Sequence, residues 1–237
     1  MKVYPVNVCH DAKISSGHTA PWSSVDLIVS NHLDHPADFV GDGAEIVVSF
    51  PRPALIDSVI VGNTGSPEIR VDMTGTDGAV RRAAPECADG FMSVGNFGPI
   101  LVEGIHVSLL GRKDTWLGYF YAGLSWNLPR FTVEPQHGLE LRGTGDRTFT
   151  GQATGVPAET LRNFAVEFLR ITSDEMKTIN DYVNGVQNVI PHVIDPYPEA
   201  RREFPPMFAT LSAAGTAKKR AENGWRWDAS LSWREAR

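Results

Sequence analysis

The sequence has few cysteines, and they are not arranged to organise a metal or redox centre. Cys9 and Cys87 lie far apart and match neither the paired spacing of a zinc site nor a Cys-x-x-Cys motif. We expect two free thiols in a protein made in the cytoplasm, with a disulfide between them as the open alternative. A cysteine-based metal centre is therefore not predicted.

The sequence also lacks long apolar runs and a strong excess of basic over acidic residues. No segment approaches the ~20 apolar residues of a membrane-spanning helix. The opening residues, Met-Lys-Val-Tyr-Pro-Val-Asn-Val, lack the apolar core of a signal peptide. The formal net charge is -6 at pH 7, whereas a dedicated nucleic-acid binder normally carries a basic patch. We therefore expect a protein synthesised in the cytoplasm that binds no nucleic acid of its own.

Familiar catalytic motifs are absent as well. There is no Gly-x-Ser-x-Gly elbow, no phosphate-cradling Gly-Lys loop and no His-Glu-x-x-His pair. One group of metal-ligating residue types lies in a proline-containing loop and comprises His32, Asp34, His35 and Asp38. Its spacing fits no known metal site, so a solvated turn is the expected structure. Glu134 and Glu140 are conceivable as a glycosidase pair, but carboxylates on a β-surface are usually only solvated. We predict no catalytic residue, no metal and no cofactor, and hence a protein that is not an enzyme.

Short alternating segments dominate the first half of the chain. Apolar residues fall at every second position in three segments, which predicts strands with one buried face; these are Ile46/Val48/Phe50, Ile69/Val71/Met73 and Ile105/Val107/Leu109. The run around residues 56–62 is too apolar for strict alternation and predicts burial on both faces. Together with frequent glycine (22) and proline (16), this pattern predicts a β-sandwich over residues 1–110.

The end of the chain carries the clearest pattern. Apolar side chains alternate with polar ones along a single strand, and the apolar set is Trp225, Trp227, Ala229, Leu231 and Trp233. Because successive side chains of a strand point to opposite faces, the three tryptophans should share one face. Each buried Trp removes roughly 150–250 Å² from water. We predict that this strand lies in the middle of a core, with its tryptophans facing inward.

One helix is predicted, over residues 173–186. Thr172 and Glu175 form a capping box, and an apolar stripe follows at spacings of three and four; the stripe is Met176, Ile179, Val183 and Val186. The charged segment Gly111-Arg-Lys-Asp114 is the expected domain junction. The second domain would then span residues 115–237, a β-structure with one flanking helix. The aromatic residues between positions 116 and 126 are expected to be core or domain-interface residues.

The first half resembles the galactose-binding-like, discoidin-type jelly roll. The similarity lies in the order Ile46-Val-Val-Ser-Phe, a proline-bearing turn, Leu55-Ile-Asp-Ser-Val-Ile-Val-Gly-Asn63 and then Ile69-Arg-Val. Many such domains bind sugars through their end loops, whereas others only mediate assembly. The resemblance implies a carbohydrate-binding module as one function. The candidate contacts to a host surface glycan are Trp22, Phe39 and Phe91.

The second half resembles the tail-tip and distal-tail (minor tail) proteins of long-tailed, siphophage-type bacteriophages. The resemblance rests on Phe168-Leu-Arg-Ile-Thr-Ser-Asp-Glu-Met, on Pro191-His-Val-Ile-Asp-Pro-Tyr-Pro-Glu-Ala200, and on the closing run from Trp225. Their shared tail-tube-like fold is a β-sandwich flanked by a helix. The resemblance implies a virion structural protein at the tail tip or baseplate, forming a ring with other tail proteins as a homotrimer or homohexamer. The residues expected to hold the fold and the assembly are Trp225, Trp227, Trp233, Met176, Ile179 and Val183.

Overall fold

A computed structural model describes most of the chain. The described residues are 1–30, 32–83, 85, 92–131, 135–141, 145–147, 153–155, 160–187, 189–201, 204–215, 218–220 and 226–236. Among them the chain forms strands, two short 3-10 helices and a single α-helix, which confirms the predicted mainly-β class with one helix.

The elements follow one another in chain order. The strands are β1 (Lys2–Tyr4), β2 (Lys13–Ser15), β3 (Ala37–Thr64), β4 (Glu68–Gly75), β5 (Val80–Ala83), β6 (Met92–Gly123), β7 (Trp126–Asn127), β8 (Gln136–Leu141), β9 (Gly145–Arg147), β10 (Ala153–Gly155), β11 (Thr160–Ile171), β12 (His192–Asp195), β13 (Met207–Ala214), β14 (Lys218–Arg220) and β15 (Arg226–Glu235). The helix α1 spans Ser173–Val186, and the 3-10 helices span Val8–Asp11 and Val25–Val29.

The chain divides into two compact units. The first comprises Met1–Asn127 and His192–Met207, and the second comprises Leu128–Pro191 and Phe208–Ala236. This division differs from the predicted junction at residues 111–114, because β6 runs unbroken through that segment. Gly111 and Asp114 adopt positive φ angles of 80° and 50° there. The charged segment is therefore an exposed kink within a strand and not a linker.

The first unit is built on the sheet with strand order β2-β3-β6-β4-β5. The long strands β3 and β6 meet in several stretches, among them 37–39 with 115–117, 44–49 with 104–109, and 59–61 with both 93–95 and 120–122. Partner numbers fall along β6 as they rise along β3, so each contact is antiparallel. The alternation predicted for β4 is confirmed, because its side chains Ile69, Val71 and Met73 are buried, and β4 pairs with β6 in this sheet.

The apolar run in β3 is buried on both faces, as predicted. Ile56, Val59, Ile60 and Val61 all lie in the core. Residues 59–61 also pair along both edges with separate stretches of β6, so this segment is central in its sheet. A strand with no solvent-facing side needs no polar alternation.

A second set of strands in the first unit joins the two ends of its chain. β1 pairs antiparallel with β7 and with β12, and Tyr4 lies opposite Val193. The Arg201 Nε–H donates to Asp195 Oδ2 over 2.7 Å. Asp195 is fully buried, and burial raises the pKa of its carboxyl above the usual range, against the lowering influence of Arg201. The segment 192–207 is therefore an integral part of the first unit.

The second unit contains a sheet with strand order β13-β15-β11-β8, in which β14 also pairs with β15. A separate pair is formed by β9 and β10. In the central pairing, Phe164 lies opposite Trp233 and Val166 opposite Leu231. All four side chains are buried, as the alternation in both strands predicts. One face of this sheet therefore carries the apolar core of the unit.

The helix α1 begins and ends where the sequence predicts. The Thr172 hydroxyl accepts from the Glu175 N–H at 3.2 Å, and the Glu175 carboxylate accepts from the Thr172 N–H at 2.7 Å. The helix ends at Gln187, which adopts a left-handed φ of 49°. The buried residues of the stripe include Met176, Ile179 and Val186, as expected, and Tyr182 in addition. Val183 is half-buried, because spacings of three and four both fit the helical period and Tyr182 lies closer to the centre of the buried side.

The capping box predicts a measurable loss of stability. Thr172→Ala removes a side-chain acceptor for an N–H at the helix N-terminus, so we expect the free energy of unfolding to fall by about 0.5–2 kcal/mol. Thr172→Ser keeps the hydroxyl and should stay close to the parent. Urea unfolding measures both variants, and equal stabilities for the alanine and serine variants would refute a stabilising role for this cap.

The C-terminal tryptophans differ in their environments. Trp233 is fully buried, and its indole Nε1–H donates to the Tyr182 hydroxyl over 2.6 Å. Trp227 is only half-buried, with its Nε1 atom 3.4 Å from Ser173 Oγ. Trp225 lies outside the described residues. The expectation that the tryptophans face the core is thus confirmed for Trp233. Trp227 is not fully buried, and that part of the expectation is wrong. Trp227 lies opposite Ile171, where the register between β11 and β15 shifts.

Candidate functional site

Trp22 is the most exposed large aromatic side chain among the described residues, with 75% of its surface open to solvent. It lies in the turn between β2 and the 3-10 helix Val25–Val29. The turn is tied to β3: the Ala20 N–H donates to the Asp38 carbonyl oxygen at 2.9 Å, and the Asp38 N–H donates to Ser23 Oγ at 3.0 Å. The indole Nε1–H donates to Asp38 Oδ2 at 3.2 Å. The ring is therefore exposed but held in one orientation.

Asp38 shares its face of the sheet with a second tryptophan. The register pairs Asp38 with Trp116 across β3 and β6. Their neighbours Ala37, Phe39 and Leu117 are buried in the core. Because side chains alternate along a strand, Asp38 and Trp116 point away from that core on the same face.

Trp116 is packed between a glycine and an arginine. A Cβ added at Gly65 would lie 2.5 Å from a ring carbon of Trp116, so the ring rests directly on the Gly65 backbone. On the ring, the Arg112 guanidinium carbon lies 5.0 Å from the ring centre, within cation–π distance. Any larger residue at position 65 would displace the indole. The packing fixes Trp116 and leaves the Arg112 guanidinium at the surface.

We call the set Trp22, Asp38, Trp116 and Arg112 the tryptophan patch. It combines two indole rings with one carboxylate and one guanidinium. The exposed Trp22 ring offers a flat apolar face with a polar edge, whereas the Trp116 ring is in contact with Gly65 and Arg112. Charged groups make the stronger hydrogen bonds to neutral hydroxyls. Before any ligand arrives, Trp116 is packed on Gly65 and Trp22 is bonded to Asp38, which lowers the entropy lost on binding. The patch is suited to a flat molecule with an apolar face and hydroxyl groups at its rim.

The three residues proposed for glycan contact differ in their environments. Trp22 is exposed, as that role requires. Phe39 is 1% exposed and lies inside β3, so the expectation of a loop contact through its ring is wrong. The reason is strand alternation, which turns Phe39 inward next to the outward-facing Asp38. Phe91 lies outside the described residues.

Trp116 was missed as a surface residue by reasoning from sequence. The aromatic segment that contains it was expected to be core, and Tyr119, Phe120 and Tyr121 are indeed buried. The signal available was the alternation of Thr115, Trp116 and Leu117, in which Trp116 alone falls on the opposite face. Its partners Gly65 and Asp38 are distant in sequence and could not be identified from that pattern.

The polar groups considered for catalysis or metal binding are not assembled into a centre in the part of the chain that the structure describes. The His32 and His35 rings lie 6.1 Å apart, and Asp38 is bound by Trp22. No cluster of three or more His, Cys, Asp or Glu residues suited to a metal ion occurs among the described residues. Glu134 and the side chain of Glu140 lie outside the described parts.

Cys9 is a buried free thiol, and burial raises its pKa to about 12. It therefore stays protonated at neutral pH and is a poor nucleophile or metal ligand. Cys87 lies outside the described residues. Within the described ranges, no helix combines the length and apolar character needed to cross a membrane.

Comparison with known proteins yields structural likeness but no family. No family model matches the sequence, and no curated protein matches it. The lectin domain of lectinolysin complexed with Lewis B antigen is 14% identical, with a TM-score of 0.44 over 49% of this chain and 95% of that domain. A Streptococcus pneumoniae fucose-binding module, SpX-3, is 8% identical, with a TM-score of 0.43 over 49% of this chain and 96% of the module.

A chitosan-binding module from a chitosanase/glucanase of Paenibacillus sp. IK-5 is also 8% identical, with a TM-score of 0.42 over 50% of this chain and 98% of that module. At this level of similarity, these structures identify neither a family nor a ligand for this chain. The resemblance to phage tail proteins gains no support from the comparisons.

Proposed function

We propose that the protein binds a carbohydrate through the tryptophan patch of its first unit. The observation that carries this proposal is the exposed Trp22 ring, held by Asp38 beside a second outward-facing indole. An apolar ring left 75% exposed gains little for the fold itself, since most of its surface still faces water. Covering that ring with a ligand would recover the burial that folding does not provide.

A sugar fits the chemistry of the patch better than a purely apolar ligand. Pyranose rings present one face of C–H groups, which can stack on an indole, and hydroxyls at the rim. Asp38 Oδ1 and the Arg112 guanidinium supply an acceptor and donors for those hydroxyls. Asp38 accepts from the Trp22 indole through Oδ2 and so orients the ring, while Oδ1 is offered to a ligand hydroxyl. We accordingly infer a binding role without catalysis.

Direct binding measurements test this proposal. We expect the protein to bind a subset of an array of neutral and fucosylated oligosaccharides, with the best ligand confirmed by titration calorimetry. Chemical-shift changes in the Trp22 indole N–H signal should accompany binding. A protein that binds no member of the array, or whose ligand leaves the Trp22 signal unchanged, would contradict the assignment to this patch.

A second candidate is a structural protein of a phage tail tip, as the resemblance in the second half implies. The observation that favours assembly is β8, which lies at the end of the described sheet order of the second unit. Its Leu139 side chain is 72% exposed. An exposed edge strand with an apolar side chain can pair with a second copy. A location in the virion would follow from this role.

Light scattering distinguishes the two roles. Assembly through β8 predicts a trimer or hexamer at micromolar concentration, and Leu139→Lys should shift it toward the monomer. Val80→Lys on β5 changes an exposed valine of the first unit in the same way and is the control. A parent protein that stays monomeric at all concentrations would exclude self-assembly through this edge.

A further inference from the structure

The Asp38 carboxylate of the tryptophan patch has a neutral hydrogen-bond donor but no cationic partner. Its Oδ2 accepts from the Trp22 indole Nε1–H at 3.2 Å, and an indole N–H carries no charge. In the part of the chain that the structure describes, no ion pair joins Asp38 to a Lys, Arg or His residue. The carboxylate therefore presents Oδ1 to a ligand with its negative charge uncompensated.

Two other carboxylates of the first unit are paired with arginines. The Arg82 Nε–H donates to Asp72 Oδ1 at 2.6 Å, and the Arg201 Nε–H donates to Asp195 Oδ2 at 2.7 Å. Asp38 is partly buried, as Asp72 is, but lacks such a partner. A cationic group of a ligand would pair with Asp38 in the way that these arginines pair with the other two residues.

Arg112 belongs to the patch but is held by other groups. Its guanidinium carbon lies 5.0 Å from the centre of the Trp116 ring, and its Nη1 donates to the Gly65 carbonyl oxygen at 3.5 Å. Neither contact involves Asp38, although Trp116 lies opposite Asp38 in the strand register. The two opposite charges of the patch are therefore separate, and each can contact a different part of a ligand.

Acidic residues outnumber basic ones in the three segments that form the patch. Residues 20–26, 37–42 and 111–116 contain four carboxylates, Asp26, Asp38, Asp42 and Asp114, and two cations, Arg112 and Lys113. Lys113 lies opposite Asp42 in the register of β3 and β6. This local excess of negative charge attracts a cationic ligand and disfavours an anionic one.

The exposed Trp22 ring provides a second contact for a cation. The face of an indole attracts an ammonium that lies within about 6 Å of the ring centre. The bond from Nε1 to Asp38 Oδ2 places the carboxylate at the edge of this ring. An ammonium over that edge would contact both the ring face and Oδ1, and it has three N–H donors where a hydroxyl has one.

We propose that the tryptophan patch selects an amino sugar with a free ammonium group. The ammonium pairs with Asp38 Oδ1, the C–H face of the sugar stacks on Trp22, and the Arg112 guanidinium donates to its hydroxyls. This inference rests on the carbohydrate-binding function proposed above and names the class of sugar. Salt should weaken the binding, because the charge pair lies at the surface.

Two trisaccharides of the same linkage test the effect of the charge. The glucosamine trisaccharide carries an ammonium on each unit where the glucose trisaccharide carries a hydroxyl. We expect calorimetry on the full chain to show about tenfold or more tighter binding of the glucosamine trisaccharide, because charge-assisted hydrogen bonds are roughly twice as strong as neutral ones. The N-acetylated form of the glucosamine trisaccharide has no charge and should not share this advantage. Added salt should weaken binding of the glucosamine trisaccharide more than that of the glucose trisaccharide.

Three variants separate the charge from the stacking surface. Asp38→Asn keeps an acceptor for the Trp22 indole but removes the charge, so it should lose most of the preference for the glucosamine trisaccharide. Trp22→Ala should weaken binding of both trisaccharides. Glu103→Gln removes an exposed carboxylate of β6 outside the three patch segments and should keep the preference of the parent. Thermal melts of all three variants should stay near that of the parent, because each changed side chain is at least partly exposed.

The results distinguish this inference from the function on which it rests. Equal binding of both trisaccharides by the parent, or a preference that Asp38→Asn retains, would overturn the selection of an amino sugar and leave carbohydrate binding in place. Absence of binding to either trisaccharide would also overturn the selection of an amino sugar. The oligosaccharide array then decides separately whether the patch binds carbohydrate.

Discussion

Replacing Trp22 with alanine is expected to weaken glycan binding about 30-fold, because a central tryptophan at a binding surface typically contributes about 2 kcal/mol or more. The same change should alter the free energy of unfolding by no more than about 0.5 kcal/mol, since most of the ring is already in water. Its only described polar contact is the bond to Asp38. Calorimetry with the best array ligand measures the first quantity, and urea unfolding the second.

Matched variants show which property of Trp22 matters. Trp22→Phe keeps a flat ring but loses the donor that Asp38 orients, so its affinity should fall between those of the parent and the alanine variant. Asp38→Asn tests the orientation of the ring and one acceptor together. If Trp22→Ala binds the ligand as tightly as the parent does, the tryptophan patch is not the binding surface.

Replacing Trp233 with alanine should destabilise the second unit by about 3–5 kcal/mol, the usual range for deleting a core aromatic. The indole is fully buried, packs beside Phe164 with ring centres 5.8 Å apart, and donates to the Tyr182 hydroxyl. The variant removes all of these contacts and leaves a cavity between the sheet and α1. Unfolding should be followed by far-UV circular dichroism and by tryptophan fluorescence, because two units need not unfold together.

Two further variants separate the contribution of the buried hydrogen bond from that of the buried ring. Tyr182→Phe keeps the ring but removes the acceptor of the buried indole N–H, and we expect a loss of about 1–3 kcal/mol. Trp227→Ala deletes a half-buried ring and should cost less than Trp233→Ala. If Trp227→Ala and Trp233→Ala prove equally destabilising, the burial assigned to the two residues is wrong.

Local patterns predicted the helices and strands well where the conformation and burial of a residue depend on its immediate neighbours in the chain. The alternation in β4 and β15 and the capping box of α1 are properties of a few consecutive residues. They predicted which of Ile69, Val71, Leu231 and Trp233 face the core. The helix also begins at the residue after Thr172, as the cap requires.

Features that depend on distant partners could not be read in this way. The full burial of Tyr182 depends on Trp233 of the sheet, whose indole N–H donates to the Tyr182 hydroxyl. Alternation alone indicates that Trp116 faces outward, but its partners Asp38 and Gly65 come from distant parts of the chain. Local sequence patterns do not identify such partners.

The segment 192–207 completes the first unit although it follows most of the second in the chain. A gene fragment ending at residue 127 would encode β1 without β12, and the buried Asp195 and its partner Arg201 would be missing. Shuffling between related genes at a single breakpoint cannot transfer either unit whole. The two units are therefore expected to be inherited together.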